Sequence, residues 1–275
     1  MKIIRFVDST SQVRYGRLIG DDRHNVEILS GDPFAPDGAG ADFAPTGRHT
    51  TVSRLLAPLV PLNLLCIGLN YRRHAAESNM AEPERPVLFL KPTTSVTAHE
   101  WPITLPADGP DEVDYECELA VVIGKAARDV SEADALDYVL GYTCANDVSA
   151  RDWQLRHDRQ WARGKGFDTF CPLGPVLVTS DEIPDPGALA IRTRLNGETV
   201  QNSHTSDMIF SVPAVIAYLS RGMTLAPGTV LLTGTPEGVG MGRTPPRYLR
   251  AGDVCEIEIE NIGTLRNTVT GPTGV

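Results

Sequence analysis

Glu116 and Glu118 stand two residues apart in the run Asp114-Tyr-Glu-Cys-Glu-Leu-Ala-Val-Val-Ile-Gly124. The run has the composition of a β-strand, β-branched toward its end and stopped by glycine. Side chains alternate along a strand, so both carboxylates share one face, with Cys117 and Leu119 on the other. Ala120 to Ile123 are apolar on both faces, the pattern of a strand covered on both sides. Two carboxylates there repel each other and lose hydration worth several kcal/mol per ion. A hard divalent cation resolves that conflict. Residues 256–260 read Glu-Ile-Glu-Ile-Glu, the same spacing with strict alternation. That segment predicts an amphipathic strand whose glutamates sit in water.

Four further constellations carry chemistry. In Asn70-Tyr-Arg-Arg-His-Ala-Ala-Glu77, His74 and Glu77 are neighbours on a helical turn, an imidazole base with an orienting carboxylate. The plain alternative is an ordinary surface His–Glu contact. Asp147, after the strand-like Val139 to Thr143, offers a third carboxylate, with Asp152 as its rival. An all-oxygen set suits Mg²⁺ or Mn²⁺, and no His or Cys cluster has zinc spacing. Lys165, between Gly164 and Gly166, can reach a substrate carboxylate or an enolate, or else mark a basic turn, and Lys91 shares that ambiguity. In Thr229-Val-Leu-Leu-Thr-Gly-Thr-Pro-Glu-Gly-Val-Gly240 a strand enters a glycine-rich loop able to cradle an anion. It lacks GxGxxG and Walker order, which argues against a nucleotide.

The elements that must position these residues are mostly strands. Segments 3–7, 13–19 and 26–29 read as short strands, and 31–48 has loop composition. Thr50 or Thr51 begins an expected short helix with Leu55 and Leu56 inward, ended by Pro58. Residues 58–61 read as a linker, dividing a small N-terminal domain (1–58) from a catalytic one (59–275). Two more helices are expected, one from Ser131 through Leu136, Val139 and Leu140, and one from Ser211 to a stop at Gly222. Frequent Gly and Pro between short strands favour a β-rich mixed α/β fold over alternating βαβ units.

Composition narrows the function. The formal charge of −10 argues against nucleic acid, because phosphate binding needs a basic surface. No segment approaches the ~18 apolar residues that span a bilayer, and the N-terminus has no signal-peptide core. Five cysteines, an odd number without a CxxC, fit reduced, buried thiols in a cytoplasmic setting.

Six stretches occur together in one order. They are Ile67 to Glu77, Phe89 to Pro92, Asp114 to Leu119, Asn146 to Trp153, Gly164 to Asp168 and Leu232 to Pro236. As a set they resemble the fumarylacetoacetate hydrolase family, and look most like its "domain-containing" subgroup. The resemblance implies a mixed β-sheet roll or barrel with a small N-terminal β domain, usually as a homodimer. It implies Mg²⁺ or Mn²⁺ on Glu116, Glu118 and Asp147, and a catalytic dyad of His74 and Glu77. It makes Lys165 an enolate-stabilising residue and puts Thr235 near the substrate carboxylate. Lys91, Gly234 and Asn70 complete the candidate substrate contacts. Arg73 stands where many members carry aspartate and is expected to face away from the dyad. The expected substrate is a 2-oxo or β-dicarbonyl acid. Acylpyruvate-type C–C hydrolysis, oxaloacetate decarboxylation and keto–enol tautomerisation share one requirement, a metal-stabilised enolate. The rivals are a catalytically silent metal-binding dimer and Mg²⁺-dependent phosphoryl transfer. The latter wants a cationic clamp or P-loop that the sequence does not show.

Overall fold

Every side chain of the strand Cys117–Ile123 is buried, as its two-sided apolar pattern requires. It pairs antiparallel with Val139–Asn146 on one side and Val230–Leu232 on the other. The computed structural model describes residues 1–20, 22–34, 43–158 and 160–272. Among these, twelve strands form one mixed sheet, five form a second and two a third. Parallel pairs such as Val230–Leu232 with Leu64–Gly68 sit among antiparallel ones. The five-stranded sheet packs over the start of Cys117–Ile123, where Cys117 Sγ donates to the Arg192 carbonyl. Glu198–His204 is an edge strand of that sheet.

The N-terminal strands join the large sheet directly. Lys2–Asp8 pairs with Cys171–Thr179, setting Lys2 opposite Val178 and Ile3 opposite Leu177. The helix expected after Thr50 is a strand, Val52–Leu56, antiparallel to Lys2–Asp8 with Phe6 opposite Leu55. Burial of Leu55 opposite Phe6 and the partner edge that Lys2–Asp8 offers outweigh the weak helix signal. Pro45–Thr50 is likewise a strand, so the expected 31–48 loop ends earlier, and residues 35–42 of it lie outside the described residues.

Three α-helices matter here: α1 (Arg72–Glu77), α2 (Trp161–Lys165) and α3 (Val212–Ser220). For α3, Ser211 Oγ accepts from Ala214 N–H at 3.3 Å, and Gly222 leaves the helix at φ +71°. The helix expected from Ser131 is reduced to the 3₁₀ turn Ala135–Tyr138. The Ser131 cap forms, its Oγ accepting from Asp134 N–H at 3.3 Å. Val139 and Leu140, however, open the strand to Asn146, because pairing with two neighbours satisfies the whole backbone ladder. The strand Glu256 belongs to, Val254–Ile259, alternates as expected, with its isoleucines buried and its glutamates partly exposed.

Candidate metal centre and active site

The acidic cluster is made where two paired strands end. Cys117 lies opposite Asn146, so Glu116 and Asp147 fall side by side just beyond the pair. Two bonds lock them: Asp147 N–H to the Glu116 carbonyl at 2.9 Å, and Glu116 N–H to Asn146 Oδ1 at 3.0 Å. Alternation then brings Glu118 to the same side. One carboxylate oxygen from each of Glu116, Glu118 and Asp147 lies within 4.8 Å of the others, and all three residues are buried. The rival Asp152 instead caps the turn Trp153–His157 through Trp153 N–H.

Cations surround the cluster unevenly. Lys165 Nζ spends its three protons on Glu116 (2.8 Å), Asp147 (2.7 Å) and Ser149 Oγ (2.7 Å). Lys91 Nζ donates to Asp147 at 2.5 Å and to the Val148 carbonyl at 3.1 Å. Arg151 pairs with Glu116 at 2.7 Å and with Asp114 at 2.8 Å. Burial raises the Glu116 pKa, but Lys165 and Arg151 outweigh it and bring the carboxyl down to about 2. Burial likewise opposes charge on Lys165, yet Asp147 and Glu116 push its pKa above the ordinary lysine range.

Glu118 is the exception. Among the described residues its only hydrogen bond is from Gly234 N–H at 2.7 Å, and no cation pairs with it. Burial first, then Asp147 and Glu116, raise its pKa well above the usual carboxylate range. Four buried carboxylates (Asp114, Glu116, Glu118, Asp147) thus face three buried cations (Lys91, Arg151, Lys165). The uncompensated charge sits at Glu118, in an all-oxygen donor set. A hard divalent cation fits that deficit in both charge and ligand type.

The cluster forms part of the wall of a cavity of about 240 Å³, shared with His74, Arg151, Gln154, Lys165 and Thr235. Apolar side chains, among them Met80, Leu155 and Trp161, complete it. Helix α2 supplies two wall residues from one face, since Trp161 and Lys165 are four apart. The Trp161 ring lies against Gly68, where any Cβ would stand 2.4 Å from its Cζ3, and meets Phe89 edge-on at 5.8 Å.

His74 and Glu77 meet on α1 as the spacing predicts, His74 Nδ1 standing 3.3 Å from Glu77 Oε2. Gly238 N–H holds the Glu77 carboxylate at 3.0 and 3.2 Å, and Gly242 passes so close that a Cβ would clash with it. Arg73 points outward, 69 % exposed, to Glu237.

The expected substrate contacts separate. Thr235 lines the cavity. Gly234, at φ +98°, turns its N–H onto Glu118, and a Cβ would stand 2.7 Å from Asn70 Cβ. Lys91 is buried against Asp147 outside the cavity wall. Asn70 spends its amide on Phe210 and the Thr233 carbonyl, bracing the loop rather than facing the cavity. Residues not anticipated include Arg151, Gln154 and Asp114. The spacing Asp147-x-x-x-Arg151-x-x-Gln154 was a readable signal for two of them. Asp114, which also accepts from Gly240 and Met241 N–H, shares the period-two spacing of Glu116 and Glu118, a signal that could have found it.

Residues 63–270 match the family model "Fumarylacetoacetate (FAA) hydrolase C-terminal", and residues 1–58 match "Rv2993c-like, N-terminal". The chain belongs to the fumarylacetoacetate hydrolase family. It is 52 % identical to "Oxaloacetate tautomerase fahd2, mitochondrial" of Xenopus laevis, over 98 % of this chain and 90 % of that protein. It is 50 % identical to "Oxaloacetate tautomerase YisK" of Bacillus subtilis, over 75 % of this chain and 69 % of that one. Among solved structures, 5-carboxymethyl-2-hydroxymuconate delta-isomerase from Mycobacterium smegmatis superposes with a TM-score of 0.85. Its identity is 41 %, over 98 % of this chain and all of that one.

Proposed function

We propose that this protein is a divalent-metal-dependent enzyme that interconverts the keto and enol forms of oxaloacetate or a close 2-oxo acid. The observation that carries the reading is a general base and an under-compensated three-carboxylate cluster on one cavity. The names of its relatives support the substrate class.

Glu116, Glu118 and Asp147 would hold Mg²⁺ or Mn²⁺. Such an ion supplies Lewis acidity toward the carbonyl oxygen of a 2-oxo acid. Glu77 accepts the Nδ1 proton of His74, which fixes the tautomer and leaves Nε2 as the base. His74 Nε2 then removes or returns the proton at C3, the one bond that keto–enol exchange must break at carbon. Lys165 stays protonated throughout and offsets charge that develops on the substrate oxygen. It has to give up one of its three present bonds to touch that oxygen.

The apolar wall at Met80, Leu155 and Trp161 favours a second substrate set, acylpyruvates, on which the same base would activate water for C–C cleavage. We further assign residues 1–58 and 59–275 as the two domains, a homodimeric assembly and a cytoplasmic location. Among the described residues no helix is long and apolar enough to cross a membrane. Light scattering on the purified protein tests the dimer.

The deciding experiment follows enol decay of oxaloacetate with Mg²⁺, with Mn²⁺ and after EDTA. Metal-dependent acceleration supports the reading. Tight metal binding without acceleration, and without turnover of an acylpyruvate panel or oxaloacetate decarboxylation, returns the silent-dimer alternative.

A further inference from the structure

Gln201 lies on the strand Glu198–His204, 1 % exposed, and its carboxamide is saturated. Oε1 accepts from Cys117 N–H at 3.0 Å and from Thr193 Oγ1–H at 2.7 Å. Nε2 donates to Thr235 Oγ1 and to the Pro236 carbonyl, both at 2.9 Å. The amide cannot be reversed. One end meets a backbone N–H, which only donates, and the other a backbone carbonyl, which only accepts. The nitrogen therefore faces Thr235, and the Thr235 hydroxyl must accept from it.

A hydroxyl has one proton and two lone pairs. Once Thr235 accepts from Gln201, its own proton is free for another acceptor, and none occurs among the described residues. Thr235 shares the cavity wall with Glu118, His74 and Lys165. Gln201 also grips Cys117 N–H, which lies between Glu116 and Glu118 in sequence. One side chain thus sets the donor in register with the carboxylate cluster.

We propose that Gln201 is a positioning residue that keeps the proton of the Thr235 hydroxyl free for the cavity. The site thereby offers a hydrogen-bond donor to an anionic oxygen at that point. The identity of the anion, an oxo-acid carboxylate, rests on the function proposed above.

Gln201→Glu reverses the polarity at constant size. Once ionised, residue 201 offers only acceptors, so Thr235 donates to it and turns a lone pair to the cavity. The probe is oxalate, which presents two adjacent oxygens like a 2-oxo acid, titrated calorimetrically into Mn²⁺-loaded protein. The expected result is a loss of oxalate affinity of roughly tenfold or more, with Mn²⁺ affinity unchanged. For oxaloacetate, KM rises while kcat stays within roughly threefold. Thr235→Val shows a similar loss and Thr235→Ser regains affinity. In the Thr235→Val background Gln201→Glu costs nothing more, because the group through which it acts is gone.

A folded Gln201→Glu protein with wild-type oxalate affinity at every pH the fold tolerates overturns the proposal. So does a loss that adds fully to that of Thr235→Val, and so does wild-type protein that binds Mn²⁺ but not oxalate. Should Gln201→Glu fail to fold, Gln201→Met removes the donor without adding charge, and unchanged affinity there is equally decisive. Wild-type protein that binds oxalate but leaves oxaloacetate untouched removes the tautomerase reading alone.

Discussion

Two strands of this protein carry Glu-x-Glu, and they have opposite fates. At Glu116 and Glu118 the following residues are apolar on both faces, and the two residues are 5 % and 2 % exposed. At Glu256 and Glu258 apolar and polar residues alternate, and the side chains are 26 % and 30 % exposed. The buried pair needs Lys165 and Arg151 to hold one carboxylate ionised, and among the described residues no cation pairs with the other. The exposed pair meets Arg266, Arg192 and Arg194 at a solvated surface. Spacing sets which face the charges share. The residues between and after them decide whether that face is a site.

The largest effect is expected at Glu118. Glu118→Ala removes the least-compensated carboxylate of the cluster and should abolish measurable Mn²⁺ binding by calorimetry, and with it turnover. Retained Mn²⁺ affinity would break the distinction between the two strands, because the buried pair would then be no more of a site than the exposed one. His74→Ala comes next. It should lower kcat by about 10²- to 10⁴-fold while leaving Mn²⁺ affinity intact, since His74 is not among the clustered carboxylates. Full activity in that variant would show that the acidic cluster works without the dyad.

How legible was this from the chain? The carboxylates, the His74–Glu77 pair and Lys165 were readable because their logic is local: period two on a strand, period three on a turn, glycines around a lysine. The N-terminal strands and the Ser211 helix were readable for the same reason. What was not readable depends on distant partners. Val52–Leu56 is a strand because Lys2–Asp8 offers an edge. Val139 and Leu140 leave a capped turn because two strands await them. Gln201 is 84 residues from the amide it holds, and no pattern in its own segment announces it. Asn70 and Lys91 were visible as polar residues in suggestive runs, but their sequence neighbours do not say which way they turn.

A smaller effect separates the strands by pH. The folded pKa of Glu118 is raised above its ordinary 4.5 by burial, then by Asp147 and Glu116. The folded metal-free protein therefore binds a proton more tightly than the unfolded chain. The associated stability is fully present below the unfolded pKa and is lost as pH rises through the folded one. Metal-free wild type should lose thermal stability over the window of rising pH that begins above the ordinary glutamate range. Glu118→Gln, which mimics the protonated acid, should flatten that dependence. A metal-free wild-type protein whose melting temperature is level across this window would mean that Glu118 is better compensated than its single hydrogen bond indicates. Saturating Mn²⁺ should reverse the trend, because the cation binds the deprotonated carboxylate and releases its proton.

The smallest effect tests the other strand. Glu258 stands 2.6 Å from Arg194 and 3.5 Å from Arg192, and Glu256 stands 3.7 Å from Arg266, all at partly exposed positions. Pairs of this kind contribute roughly 0.2–1 kcal/mol, because water already solvates both partners. Glu256→Gln and Glu258→Gln should each shift stability by no more than that, less so at high salt, where screening removes what remains. Neither should change Mn²⁺ affinity or turnover. A loss beyond about 2 kcal/mol in either variant would place that glutamate in an environment like that of Glu118, and would make alternation of the intervening residues a poor guide to which Glu-x-Glu strand holds the site.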